Sequence, residues 1–329
     1  MKFCEFRLTT WCLLTVAFLL ASNAEHYRPI VMWHGMGDTS KGSVVHLEKL
    51  IQHQLNNSVY IHSIQIGSNQ EEDFFDTYFK DCNEQIDIAC AQLLNDAQLS
   101  TDGLTILGFS QGGQFARALI QRCPLQGPIL LITFGGQHQG KRVIQKNFLI
   151  FLMRFLCFLM FLGIYGLPRC PGTSVSLCNY IRKMINLGAY LDMVQKHLVQ
   201  AQYWHDPLNK EYRAKSRFLA DINNERQPRN QTYKKRLSSV EKFVMVQFDD
   251  DTIVSPKESS LFSFYKDGQA KQVLPLEQSA LYKEDWLGLK KLDTNGQLIR
   301  LHTPGDHLDF TDEWFIENIL DPYLRVEVV

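Results

Sequence analysis

The stretch LTILGFSQGGQFARAL changes character in its middle. Leu104 to Leu107 read as a short buried strand, and Gln114 to Leu119 as the start of an amphipathic helix. Between them Ser110 is flanked at two-residue distance by Gly108 and Gly112. A strand that feeds directly into a helix needs a very tight turn. The apex residue then takes up strained backbone, and its neighbours must lack bulk. Such a turn pushes Ser110 Oγ clear of its own backbone, as a nucleophile requires. The bare pattern G-x-S-x-G arises by chance in roughly one chain in ten of this length. The strand before it and the helix after it carry the reading.

A serine hydroxyl is a weak nucleophile near neutral pH. It needs a histidine as base and a carboxylate to orient that histidine. Where the nucleophile sits in such an elbow, the chain order is serine, acid, histidine. His307 lies in Thr303-Pro304-Gly305-Asp306-His307, a loop between a strand at Leu298 to Leu301 and a final helix. His302 is its rival but stands at the end of that strand. The acid falls in Asp249-Asp250-Asp251, after a strand at Phe243 to Phe248, and position alone does not choose among the three. The oxyanion needs two backbone N–H donors. Gln111, after the nucleophile, supplies one. Met36, in the glycine-rich His34-Gly35-Met36-Gly37-Asp38 after an early strand, supplies the other. No cysteine pair has zinc spacing, and this chemistry calls for neither metal nor cofactor.

The elements that must hold these residues alternate. Strands are predicted at Pro29 to Trp33, Val59 to Ile66, Leu104 to Leu107, Pro128 to Phe134, Phe243 to Phe248 and Leu298 to Leu301. Helices are predicted at Ser43 to Leu55, through Ile86, Cys90, Leu93 and Ala97, after the elbow, and at Phe310 to Leu320. This argues for an α/β fold with a mainly parallel sheet. Residues 166–235 break the alternation with helical, polar and aromatic sequence, as a cap inserted into the sheet would. The division is therefore a first core part over 25–140, an atypical apolar insertion over 141–165, a helical cap region over 166–241 and a second core part over 242–329.

The 329 residues carry 34 Lys and Arg against 35 Asp and Glu, a near-neutral balance with no footprint for nucleic acid. Lys2 and Arg7 precede an apolar run from Trp11 to Ala21, and Ser22-Asn23-Ala24 offers a cleavage site. Residues 1–24 read as a secretory signal peptide, so the mature chain enters an oxidising lumen. Cys82, Cys90, Cys123, Cys157, Cys170 and Cys178 remain in it. Asn230-Gln231-Thr232, in a polar stretch, and Asn56-Asn57-Ser58 are sequons for a secreted chain.

The stretches WHGMGD, GFSQGGQFARA, GGQHQG, GLPRCPG, LVQAQYWHDP, FLADINNER, EKFVMV, DTIVSP, GQAK, LGLKKLD and GDHL run in order from about Pro29 to Leu320. Together they resemble the lysosomal palmitoyl-protein thioesterases, the first type rather than the second. The resemblance implies an α/β-hydrolase with a helical cap that removes long fatty acyl chains from protein cysteines. Its substrates would be S-palmitoylated proteins or peptides and fatty acyl thioesters. It puts the catalytic serine on Ser110, the histidine on His307 and the aspartate on Asp251. It also implies disulfides Cys90–Cys123 and Cys170–Cys178, glycosylation at Asn230, and a lysosomal location reached through the secretory pathway. The sequon usual at the acid loop is absent, because Asp250 occupies the asparagine position.

One departure is large. KRVIQKNFLIFLMRFLCFLMFLGIY, Lys141 to Tyr165, separates GGQHQG from GLPRCPG, where the family runs on almost directly. Phe148 to Tyr165 is at the lower edge of transmembrane length. Arg154 within it costs about 3 kcal/mol on insertion scales. One crossing here would put Ser110 and Asp251 on opposite sides of a bilayer, so a span and an assembled triad exclude each other. The segment would lie flat as an apolar lid, or be no native element, such as translated intron sequence. The clean resumption of family-like sequence on both sides favours the second. From residues alone, the chain reads as a secreted serine hydrolase of apolar acyl esters. The alternatives are a secreted lipid esterase, and a catalytically impaired lipid-binding or membrane-attached protein whose acyl groove the insertion disrupts.

Overall fold

A computed structural model describes residues 27–99, 103–141 and 188–325. The expected signal peptide over 1–24, most of the 141–165 insertion, Cys157 and the expected Cys170–Cys178 disulfide lie outside the described residues. In chain order the first half contains β1 (Ile30–Trp33), α1 (Val44–Gln54), β2 (Ile61–Ser63), α2 (Gln70–Phe79), α3 (Cys82–Asn95), β3 (Leu104–Phe109), α4 (Gln111–Arg122) and β4 (Ile129–Phe134). Five short helices follow: α5 (Asp192–His197), α6 (Val199–Gln202), α7 (Tyr212–Lys215), α8 (Leu219–Ile222) and α9 (Gln231–Leu237). The second half contains β5 (Lys242–Phe248), the hairpin strands β6 (Phe264–Tyr265) and β7 (Val273–Leu274), α10 (Ala280–Lys283), α11 (Leu289–Thr294), β8 (Leu298–Thr303) and α12 (Asp312–Phe315). The last of these runs on as a π-helical segment, Ile316–Leu324, that contains Pro322.

Six strands form one sheet in the order β2-β1-β3-β4-β5-β8, and every pairing is parallel. Both faces of such a sheet must be covered, and the side-chain period of two divides its strands between two cores. Val31 and Trp33 join Ile86, Phe115 and Leu119 on one face. Ile30 and Met32 join Leu47, Ile51, Phe315 and Ile319 on the other. The chain leaves β1 toward β2 and then crosses back to β3. The carboxyl ends of β1 and β3 therefore flank the point where the winding reverses, the place where an open α/β sheet forms its crevice. This is the α/β-hydrolase architecture.

Two expectations shift at the sheet edges. The second strand is shorter than Val59 to Ile66, because it pairs with β1 alone. The last strand extends through Thr303, so His302 lies within it. The closing helix begins at Asp312 rather than Phe310, capped by Thr311, whose hydroxyl accepts from Trp314 N at 3.1 Å.

Candidate active site

Ser110 stands at the join of β3 and α4 with φ 52° and ψ −119°, in left-handed backbone that a serine rarely adopts. Its N–H donates to Phe134 O at 2.7 Å, which pins the apex to the neighbouring strand. A β-carbon at Gly108 would lie 2.5 Å from Gly112 O, and one at Gly112 would lie 2.2 Å from Trp33 O. Those are backbone atoms that cannot give way, so both glycines of the motif are needed for the turn. Gly35 brings the β1 loop close, since its β-carbon would sit 3.2 Å from Ser110 Cβ.

His307 Nε2 is 2.8 Å from Ser110 Oγ, and its Nδ1 is 2.7 Å from Asp251 Oδ2. The Asp251 side chain is fully buried, and its Oδ1 accepts from Ile253 N and Val254 N, each at 2.8 Å. Two backbone donors thus hold one oxygen while the other faces the imidazole. The triple carboxylate divides cleanly. Asp249 faces solvent and pairs with His302 at 3.0 Å, while Asp250 is exposed. Asp306 ties the two loops together by accepting from Thr252 N at 2.8 Å and His307 N at 2.7 Å. Hydrogen bonds from those backbone groups, Thr252 first, hold its carboxyl below the usual range.

Among the described residues, the main-chain N–H groups of Met36 and Gln111 donate to no protein acceptor. The loop carrying Met36 is held by α2, whose buried Asp73 and Thr77 lie one turn apart. Asp73 accepts from Ser40 N at 2.8 Å and Ile66 N at 2.7 Å, and lies 3.3 Å from His34 Nε2. Thr77 Oγ1 accepts from Gly37 N at 2.9 Å. Thr77 O accepts from the Gln111 and Gln200 side chains at 3.2 and 3.1 Å. Neither Asp73 nor Thr77 stands out in the sequence. The available signal is two hydrogen-bonding side chains at i and i+4 facing inward on a helix.

A cavity of about 500 Å³ opens beside Ser110 and His307, with Val44, Leu47, Ile253, Leu308 and Phe310 among its walls. That size is within the range of small-molecule sites, and polar groups of Asp38, Ser43, His46 and Asp312 line it beside the apolar ones. Lys141, the first residue of the insertion, is buried, with its ammonium 5.9 Å from the centre of the Tyr203 ring. Burial draws its pKa down to about 8, against the pull of the Asp251 carboxylate. No group of three His, Cys, Asp or Glu that could hold a metal occurs among the described residues.

Away from the site, Cys90 and Cys123 are joined, linking α3 to the end of α4, and Cys82 is a free buried thiol. Asn56 lies exposed in the turn after α1. Asn230 is exposed as the N-cap of α9, its Oδ1 accepting from Thr232 N at 3.0 Å and Tyr233 N at 3.3 Å. No helix among the described residues is long and apolar enough to cross a membrane.

A family model described as palmitoyl protein thioesterase matches residues 29–307. The chain is 42% identical to Palmitoyl-protein thioesterase 1 of Caenorhabditis elegans, over 95% of this chain and 97% of that one. It is 32% identical to Palmitoyl-protein thioesterase 3 of Dictyostelium discoideum, over 91% and 92%. It is 26% identical to the Lysosomal thioesterase PPT2 homolog of Drosophila melanogaster, over 95% and 96%. With the serine elbow, the ordered acid and histidine, and a match over most of its length, the chain belongs to the palmitoyl protein thioesterase family.

Proposed function

We propose that this protein is a serine thioesterase that removes palmitoyl and similar long fatty acyl groups from protein cysteines. The observation that carries the reading is the hydrogen-bonded chain Asp251–His307–Ser110 in a member of this family. Ser110 is the nucleophile, His307 the general base and acid, and Asp251 the group that fixes the imidazole tautomer. His307 Nε2 takes the Ser110 proton as Oγ bonds to the thioester carbonyl carbon. The amides of Met36 and Gln111 hold the oxyanion. The C–S bond breaks and His307 returns the proton to sulfur. Water then bonds to the acyl carbon, C–Oγ breaks, and the fatty acid leaves. A cysteine thiol ionises near pH 8.5, so sulfur is a good leaving group. Each buried methylene of the acyl chain contributes about 0.8 kcal/mol, which rewards a long chain.

The division into a sheet core and a helical cap over 166–241 belongs to the same reading. So do cleavage after Ala24, passage through the secretory pathway to the lysosome, glycans on Asn230 and Asn56, and a Cys170–Cys178 disulfide. The name of the Drosophila relative supports the lysosomal destination. The exposure of both asparagines supports the glycans.

The test compares palmitoyl-cysteine peptides with matched oxyesters over a series of chain lengths. The reading expects thioesters to be hydrolysed faster and kcat/KM to rise with chain length. Preference for the oxyester would make the protein a lipid esterase. Binding without turnover would make it a lipid carrier.

A further inference from the structure

The loop Gly135–Gly140, GGQHQG, follows β4 and has no role in the chemistry so far. It reaches the nucleophile. Gln137 is buried, and its Nε2 lies 3.1 Å from Ser110 Oγ. The Ser110 hydroxyl has one proton. His307 must keep its own N–H on Nδ1 to face the Asp251 carboxylate, so Nε2 is an acceptor and that one proton points to it. Oγ can then only accept from a third neighbour, and the Gln137 group that faces it is the NH₂. The Gln137 carbonyl is turned the other way and accepts from Gln114 Nε2 at 3.3 Å.

The loop is built to hold this amide still. His138 is buried, with its ring stacked on Phe262 and its Nε2 3.0 Å from Thr133 Oγ1. The Arg117 guanidinium donates to His138 O at 3.1 Å, and to Ile222 O and Asn223 Oδ1 at 2.9 Å. Gly140 N donates to Gln137 O at 2.9 Å. Ser259 Oγ accepts from Gln139 N at 3.1 Å and donates to Gly140 O at 2.8 Å.

We infer that Gln137 is a further catalytic residue, an amide donor to the nucleophile oxygen that acts chiefly in release of the acyl group from Ser110. The inference rests on the acyl-enzyme reading given above. In acylation the group that departs is a thiolate, a comparatively weak base. In the second half, water bonds to the acyl carbon and gives its proton to His307 Nε2. The C–Oγ bond then breaks, the electron pair returns to Oγ, and Oγ takes the proton from His307. The departing atom is now an alkoxide-like oxygen, a far stronger base. A fixed N–H aimed at it lowers the barrier where charge develops. In the attack step the same donor eases loss of the Oγ proton but blunts the nucleophile, so its effects there oppose one another.

The test loads the full-length enzyme with a palmitoyl-cysteine peptide and follows the acyl adduct on the Ser110 peptide by mass spectrometry after the substrate is removed. In Gln137→Leu the adduct should decay about tenfold to a hundredfold more slowly than in the parent. It should accumulate at steady state, with kcat reduced and kcat/KM changed by less than about threefold. Gln137→Glu keeps the shape of the side chain. It should show the same slow decay at neutral pH and recover in acid, where its carboxyl becomes a donor. Decay at the parental rate at neutral pH in either folded variant overturns the inference, as does an equal loss of kcat and kcat/KM without accumulation. A parent that hydrolyses the thioester without ever carrying an adduct on Ser110 refutes the acyl-enzyme reading instead.

Discussion

The imidazole of His307 rests on the bare α-carbon of Gly135. A β-carbon at that position would lie 2.8 Å from Cε1 and 3.0 Å from Nδ1 of the ring, and the backbone there has φ +57°. The ring that must reach Ser110 on one side and Asp251 on the other has no room to retreat. Gly135→Ala should therefore displace His307 and cut kcat about a hundredfold, the usual penalty for misplacement by about an ångström. Thioesterase turnover together with a thermal melt checks this. Parental activity in the folded variant would show that the ring is free to move.

The three consecutive aspartates should behave differently. Asp251→Asn replaces the acceptor for His307 Nδ1 with a group that cannot stabilise the imidazolium, and should cost about 10⁴ in kcat. Asp249→Asn and Asp250→Asn alter solvent-facing side chains and should leave turnover within a few-fold of the parent. Kinetics of the three single variants on one thioester substrate are the check. His302→Ala should likewise cost little, because its partner is Asp249.

The Cys90–Cys123 bridge spans a sequence separation of 33. Closing a loop of that length stabilises the folded chain by about 3–4 kcal/mol in the chain-entropy description. Cys90→Ser should lower the urea midpoint accordingly. Activity measured well below that midpoint should be retained, since the bridge lies outside the site.

Two buried histidines should weaken the fold in acid. Burial pushes the pKa of both His138 and His205 below the ordinary value, with the nearby Arg117 adding to the effect at His138. An unfolded chain takes up protons on both as pH falls through about 6.5, while the folded chain resists. The unfolded state then binds more protons, and stability falls with pH. His205 is stacked between Tyr212 at 3.8 Å and Phe264 at 4.2 Å, so His205→Phe keeps the stack and removes the titrating group. The variant should be less stable overall, because the bond from Nδ1 to Gln139 O is lost. Its melting temperature should nevertheless fall less between pH 7 and pH 5 than the parent's. An unchanged slope would mean that His205 does not contribute to acid sensitivity.

Much of the fold and site was legible in the sequence, for identifiable reasons. The strands were visible because a parallel sheet covered on both faces needs near-continuous apolar runs. The predicted Leu104 to Leu107 and Pro128 to Phe134 are such runs, broken only by a threonine each and lying within or around strands Leu104–Phe109 and Ile129–Phe134. Ser110 was visible because a tight strand-to-helix turn tolerates only glycine at Gly108 and Gly112. Asp251 was chosen among three carboxylates only through resemblance, since the inward turn of one side chain depends on backbone donors at Ile253 and Val254 that no sequence pattern announces. Asp73, Thr77 and Gln137 were missed. Their roles arise from contacts between elements distant in sequence, such as Asp73 against His34 and Gln137 against Ser110. The sheet edges were misjudged because hydropathy does not mark where a strand loses its last partner.

The most direct test of the account is hydrolysis of a palmitoyl-cysteine peptide by Ser110→Ala beside the parent enzyme, with a thermal melt of each. The Ser110 side chain is small, and among the described residues its oxygen hydrogen-bonds to His307 and Gln137 alone, so the variant should melt close to the parent. Its turnover should fall by several orders of magnitude, leaving only the residual contribution of oxyanion donors and binding. A folded Ser110→Ala protein that keeps most of the parental thioesterase activity would contradict the assignment of Ser110 as nucleophile and the acyl-enzyme chemistry built on it.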